Sequence, residues 1–94
     1  MRLAARPEFA AMYQSLDGSE QLVVSRSLDS LEGSTEPIGK PLRGGLARCR
    51  SIRTGHNSRL RLVYQPMGDV ADLIAIGKRE GNVVYLIALE ILES

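Results

Sequence analysis

Apolar positions along the 94-residue chain change period several times, and the changes mark its elements. Met1 to Ala5 reads as a short first strand. Phe9, Met12, Tyr13 and Leu16 then recur at helical spacing, and Pro7 and Glu8 suit a first helical turn. Asp17-Gly18 ends that helix. Asp17 with Glu20 has capping-box spacing for a second helix, which runs to about Leu31 with Val24, Leu28 and Leu31 as its inner stripe. Gly33 to Lys40 is loop chemistry, and Pro41 to Gly45 is a further turn. The period then drops to two. Arg48 to Arg53 reads as a strand, Gly55-His56-Asn57-Ser58 as a turn, and Arg59 to Gln65 as the clearest strand. Leu60, Leu62 and Tyr64 point to one side of it; Arg59, Arg61 and Val63 point to the other. After the Pro66–Asp69 turn, Val70 to Gly77 is a third strand of this meander. Asn82 is positioned to cap a last helix ending near Leu92, with Val84, Ile87, Ala88 and Ile91 on its buried face.

This order describes an α+β domain: an N-terminal strand and a helical hairpin packed on a mostly antiparallel sheet, followed by a C-terminal helix. A chain of this length is expected to form one domain over residues 1–94. The helices are expected on one face of the sheet, leaving the arginine-bearing face open as a concave site. An apolar content of 44% with 24% charged residues excludes global disorder. Cys49 has no partner for a disulfide, and no signal peptide is apparent, which points to a reducing, cytoplasmic setting. Val83 to Leu92, the longest apolar candidate, falls short of the roughly 20 residues of a membrane span and carries Tyr85 and Glu90, so no membrane partner is expected.

The net charge of +1 hides a strong asymmetry. Residues 1–36 hold three bases against six acids. Residues 37–68 hold seven bases and no acid: Lys40, Arg43, Arg48, Arg50, Arg53, Arg59 and Arg61. Residues 69–94 hold two bases against five acids. A planar guanidinium fits phosphate oxygens in a fork that lysine lacks. The acid-free block is therefore a candidate polyanion site, or a face that meets an acidic protein.

Other chemistry is sparse. One His and one Cys cannot build a structural zinc site. Gly44-Gly45 lacks the spacing and lysine of a phosphate loop. His56 sits in turn residues with no catalytic signature around it, and Cys49 suits a buried strand position. What remains is arginine, tyrosine and their placement.

Several short motifs, in order, resemble the RelE-like branch of the RelE/ParE toxin superfamily. They are Arg6-Pro7-Glu8-Phe9, Lys40-Pro41-Leu42-Arg43-Gly44, Cys49, Arg61-Leu62-Val63-Tyr64-Gln65, Ile76-Gly77-Lys78-Arg79-Glu80 and Val84-Tyr85. The six-residue step from Arg79 to Tyr85 is the most specific feature. The resemblance implies a toxin of a type II toxin–antitoxin system, silenced by a cognate antitoxin, that cuts mRNA on the ribosome without a metal or cofactor. It assigns Arg61 to the scissile phosphate, Arg79 to the leaving oxygen and Tyr85 to the reacting nucleotide. Arg53 falls where the family has the second of two active-site lysines, and Ser51 stands at the first, so one cation is missing. Arg48, Arg50, Ser51 and Lys78 complete the expected site as substrate contacts. Leu86 and Leu89 on the last helix are expected at the antitoxin surface. The near-neutral charge departs from strongly basic ribosome-cutting members. The ParE-like alternative, inhibition of DNA gyrase by protein contact, needs none of the Arg61, Arg79 and Tyr85 trio. A weakly active or non-toxic homologue acting as a binding module is the further alternative.

Overall fold

In a computed structural model describing residues 1–94, the chain runs β1 (Arg2–Ala5), α1 (Pro7–Ser15), α2 (Gly18–Glu32), β2 (Lys40–Pro41), β3 (Arg50–Thr54), β4 (Leu60–Met67), β5 (Val70–Lys78) and α3 (Val83–Glu93). The strands form one sheet in the order β1-β5-β4-β3-β2. Only β1 pairs in parallel, with β5; β2 to β5 are antiparallel neighbours. This is the α+β architecture expected from the sequence, with one addition. The two-residue strand β2 closes an edge where only loop and turn residues were apparent, and a pair of residues carries no readable period.

Local chemistry explains the hairpin. Pro7 opens α1, where its missing N–H costs nothing. The Asp17 carboxylate accepts the Glu20 backbone N–H at 2.8 Å and the Ser19 hydroxyl at 2.8 Å, which starts α2. Both bonds favour the ionised carboxylate and hold it below its ordinary range. Glu20 does not close the capping box. Its carboxylate accepts the His56 backbone N–H at 3.2 Å and so ties the β3–β4 turn to the start of α2.

The hairpin packs on the sheet face that carries Leu60, Leu62 and Tyr64. Phe9, Val24 and Leu31 meet them there, with Ala71, Leu73 and Ile76 of β5. The opposite face is not open, contrary to the expectation from the meander. There α3 lays Val84, Ala88 and Ile91 on Val63, Ile74 and Ala75, with Leu46 and Cys49 beside them. A bulge shapes this contact. Val63 faces Ala75 and Tyr64 faces Leu73, so Ile74 is one residue in excess. The extra residue places both Ile74 and Ala75 on the α3 side. Burying each large side chain of this set contributes about 1.5–3 kcal/mol. That is ample reason for a strongly apolar helix to cover this half of the face.

Two polar links set the geometry near the sheet edges. Arg6 at the start of α1 makes a salt bridge to Asp72 of β5 at 3.1 Å, and this contact raises the Arg6 pKa above its usual value. The Tyr64 hydroxyl donates to the Ile38 carbonyl at 2.6 Å and accepts the Ile38 N–H at 2.9 Å. The loop before β2 is thereby hooked to the middle of the sheet. Gly39 follows at φ +94°, where a Cβ would lie 2.6 Å from the Ser51 carbonyl, so only glycine lets the loop come this close to β3. No helix is long and apolar enough to cross a membrane.

Candidate functional site

Arg53 and Arg61 are direct partners across β3 and β4. They lie on the α3 side, in the part of that face that α3 leaves uncovered: Arg53 is exposed and Arg61 half-buried. Two like charges placed opposite each other destabilise a sheet. The chain offers no relief, because its salt bridges, Arg2–Asp69 and Arg6–Asp72, involve neither arginine. The Arg61 guanidinium is instead anchored through Nη1, which donates to the carbonyls of Ser58 at 2.7 Å and Leu60 at 3.0 Å. Ser58 and Asn57 both hold φ near +55° in the β3–β4 turn, so a turn in an uncommon conformation presents the carbonyl that holds the arginine.

Tyr85 and Ser51 form the second half of the group. Ser51, two residues before Arg53, is 6% exposed. Its hydroxyl lies 3.1 Å from the Tyr85 hydroxyl, a hydrogen bond between β3 and α3. The sequence alone presents Ser51 as the place of a missing cation. In the fold it is a buried polar contact that fixes the tip of the tyrosine. Tyr85 is half-buried, one residue from the deeply buried Val84.

Arg79 follows β5 directly, two residues beyond Gly77, the cross-strand partner of Arg61. It is exposed, and its backbone N–H donates to the Arg59 carbonyl at 3.0 Å. The chain thus leaves the sheet at the end nearest the arginine pair.

The remaining sequence candidates lie elsewhere. Arg50 pairs with Tyr64 on the hairpin side, and its Nη1 donates to the Gly39 carbonyl at 3.0 Å. Lys78 pairs with Leu60 on that same side. It lines a cleft of about 420 Å³ together with Arg59, which makes two cations against the three acids Asp17, Glu20 and Glu80. Those three carboxylates make the larger cleft a poor host for a phosphate, despite its size. Arg48 is exposed in the turn before β3, and Arg59 also falls just outside its expected strand. Leu86 is 62% exposed on α3. Leu89, expected beside it at a surface, is half-buried against Gly45.

A smaller cleft of about 370 Å³ adjoins Tyr85, lined by Lys40, Pro41, Leu42, Arg43 and Asn82. Lys40 and Arg43 belong to the acid-free block read as a candidate polyanion site, but their place beside Tyr85 was not legible, because the strand that carries this wall is two residues long. Asn82 precedes α3 as expected, but it is left-handed at φ +58° and makes no capping bond.

Burial pushes the Cys49 thiol above its ordinary pKa, so it stays protonated near neutral pH. No three His, Cys, Asp or Glu side chains come together as a metal-binding group.

No family model matches the sequence, and no curated protein does. Solved structures do. The chain is 30% identical to an E. coli RelE toxin carrying two arginine-to-alanine replacements, in complex with a RelB antitoxin peptide; the match covers 93% of this chain and 92% of that one, with a TM-score of 0.61. The free state of that mutant is 26% identical over 95% and 94% of the two chains, with a TM-score of 0.74. Isolated E. coli RelE is similar in fold, at 24% identity, 97% coverage of both chains and a TM-score of 0.69.

Proposed function

The chain belongs to the RelE/ParE toxin superfamily, in its RelE-like branch, and from that premise we propose that it is the toxin of a type II toxin–antitoxin pair and a ribosome-dependent mRNA endoribonuclease. The observation that carries the reading is the direct pairing of Arg53 with Arg61, neither of them in a salt bridge, beside a tyrosine fixed by Ser51.

The reaction this arrangement suits is attack of a ribose 2′-OH on the adjacent phosphate. The P–O5′ bond breaks, leaving a 2′,3′-cyclic phosphate and a 5′-OH. The pentavalent intermediate carries more negative charge than the phosphodiester, and Arg53 and Arg61 would stabilise it. Arg79 would stabilise the negative charge on the departing 5′-oxygen, which takes up a proton from water to become the 5′-OH. Tyr85 would hold the nucleotide by its ring or hydroxyl. An arginine hardly deprotonates, so the 2′-OH proton passes to water or to a ribosomal group. The site works by charge and positioning rather than by a dedicated base.

The partner on this reading is a short antitoxin protein. RelE of E. coli has been solved with an antitoxin peptide, and here Leu86 and Val83 on α3 are exposed apolar positions available for such a contact.

Primer extension on a reporter message after induction is the test. Codon-phased cuts that disappear when the antitoxin is co-expressed support the nuclease. Growth arrest with intact message and altered DNA supercoiling would place the target at gyrase instead, and no effect on growth or message would indicate a non-toxic homologue.

A further inference from the structure

Arg61 and Arg79 share one support, the turn between β3 and β4. The Arg61 guanidinium is held by the Ser58 carbonyl at 2.7 Å, and the backbone N–H of Arg79 donates to the Arg59 carbonyl at 3.0 Å. Two backbone bonds shape the turn from within. The Ser58 N–H donates to the Gly55 carbonyl and the Arg59 N–H to the His56 carbonyl, each at 3.2 Å. Gly55, Asn57 and Ser58 all hold positive φ, which side chains other than hydrogen disfavour. Such a turn keeps one shape only when its surroundings hold it there.

The first turn of α2 provides that hold. The Glu20 carboxylate accepts the His56 backbone N–H, at 3.2 Å to Oε2 and 3.4 Å to Oε1. A bond to an ionised acceptor is stronger than one between neutral groups. Oε2 also presses on Gly55 at φ +82°, where a Cβ would lie 2.8 Å from it and 2.8 Å from Leu60 Cγ, so glycine makes room for the carboxylate. The imidazole adds a second tie, with His56 Nε2 3.2 Å from Ser19 Oγ. Ser19 gives its one hydroxyl proton to Asp17. It can therefore only accept from His56, whose Nε2 must carry a proton. Asp17 also caps α2 through the Glu20 N–H, so both ties start from one fixed helix end. We infer that Glu20, aided by His56, is a positioning residue for the RNA-cutting site: acting through the β3–β4 turn, it fixes the Arg61 guanidinium and the backbone of Arg79. Neither side chain meets the RNA in this role. The inference rests on the RNA-cleavage reading above and deepens it.

The test compares the parental protein with Glu20→Gln, Glu20→Ala and His56→Ala. Glutamine keeps an oxygen for the His56 N–H without the charge, and alanine keeps none. His56→Ala keeps the backbone tie and loses only the bond to Ser19. NMR of arginine-labelled protein without ribosomes follows the Arg61 guanidinium signals and their exchange with water. Single-turnover cleavage on programmed ribosomes gives the maximal rate and the half-saturating concentration. In Glu20→Ala the Arg61 signals should shift and exchange severalfold faster. Its maximal rate should fall about tenfold at an unchanged half-saturating concentration. Glu20→Gln should fall between parental protein and Glu20→Ala on both readouts, and His56→Ala should lose less than Glu20→Ala. If Glu20→Ala lowers the urea midpoint but leaves the Arg61 signals and the maximal rate of folded protein unchanged, the tie serves the fold alone and the inference is overturned. A flat or reversed order of the two Glu20 variants also overturns it. Parental protein that cuts no message, while its Arg61 signals still respond to Glu20→Ala, keeps the positioning and overturns the nuclease reading instead.

Discussion

The two faces of the sheet are built by opposite rules. On the hairpin side, alternate residues of β4 are all apolar and all buried: Leu60, Leu62 and Tyr64 are 4%, 0% and 0% exposed. On the α3 side the same strand offers Val63 to the core and Arg61 to the surface two residues away. Both faces bury an apolar cluster of similar size. The second gives part of its area to uncompensated charge, and the cost is visible in the Arg53–Arg61 pair, which no acid relieves. The proposed phosphate site would give this pairing a use.

Crossed substitutions on the two faces separate these roles most sharply. Leu62→Ala empties a fully buried position and should cost about 3 kcal/mol of unfolding free energy, read from urea denaturation, while the molecules that remain folded keep cutting. Arg61→Ala and Arg79→Ala should each lower the cleavage rate about a hundredfold, equivalent to about 3 kcal/mol of transition-state stabilisation, with circular dichroism unchanged. If Leu62→Ala instead removes activity at full stability, the division between faces is wrong.

A weaker contrast lies between two hydroxyl contacts, Tyr64–Ile38 on the hairpin side and Ser51–Tyr85 on the α3 side. Tyr64→Phe strands the Ile38 N–H and carbonyl and should cost about 1–2 kcal/mol, with faster hydrogen exchange at Ile38 as the local signature. Ser51→Ala should leave stability nearly unchanged but slow cleavage severalfold by freeing Tyr85. In a Tyr85→Phe background the same change should add almost nothing, because both variants break one bond. Additive losses in that double-mutant cycle would separate Ser51 from Tyr85.

The smallest expected effect is a pH dependence on the hairpin side. The Asp17 carboxylate titrates below its ordinary value of 3.8 because it accepts the Glu20 N–H and the Ser19 hydroxyl. Its stabilisation is therefore in place above about pH 4 and lost as pH falls through the lower, folded value. Thermal midpoints of parental protein and Asp17→Ala should differ at pH 7 and converge near pH 2. A gap that stays constant over that range would mean the charge contributes nothing.

The sequence carried the elements whose physics is local and periodic. The stripes Phe9-Met12-Leu16 and Val24-Leu28-Leu31, the Asp17 cap and the alternation of β4 all appear at their expected places. The bulge at Ile74 was not legible, since one inserted residue looks the same in a run of apolar side chains. It sets Ala75 beside Ile74 on the α3 side and turns Ile76 to the hairpin side, an arrangement that strict alternation does not give. The site was legible in part for the same reason. Arg53 and Arg61 share a face by simple alternation and pair as neighbours. Arg50 lies one residue out of phase, on the other side, and Lys78 follows it by pairing with Leu60. The Ser51–Tyr85 bond and the Lys40–Arg43 wall join segments more than 30 residues apart, and no local pattern announces such a contact.

The central claim, that the uncovered part of the α3 face performs the chemistry, is tested most directly by one comparison. Purified parental protein and Arg61→Ala are incubated with ribosomes carrying a defined message in the A site, and the 5′ ends of the products are mapped over time. The account predicts a single cut within the A-site codon for the parental protein and a rate about a hundredfold lower for the variant. Equal rates for the two proteins, or an intact message with both, would contradict it.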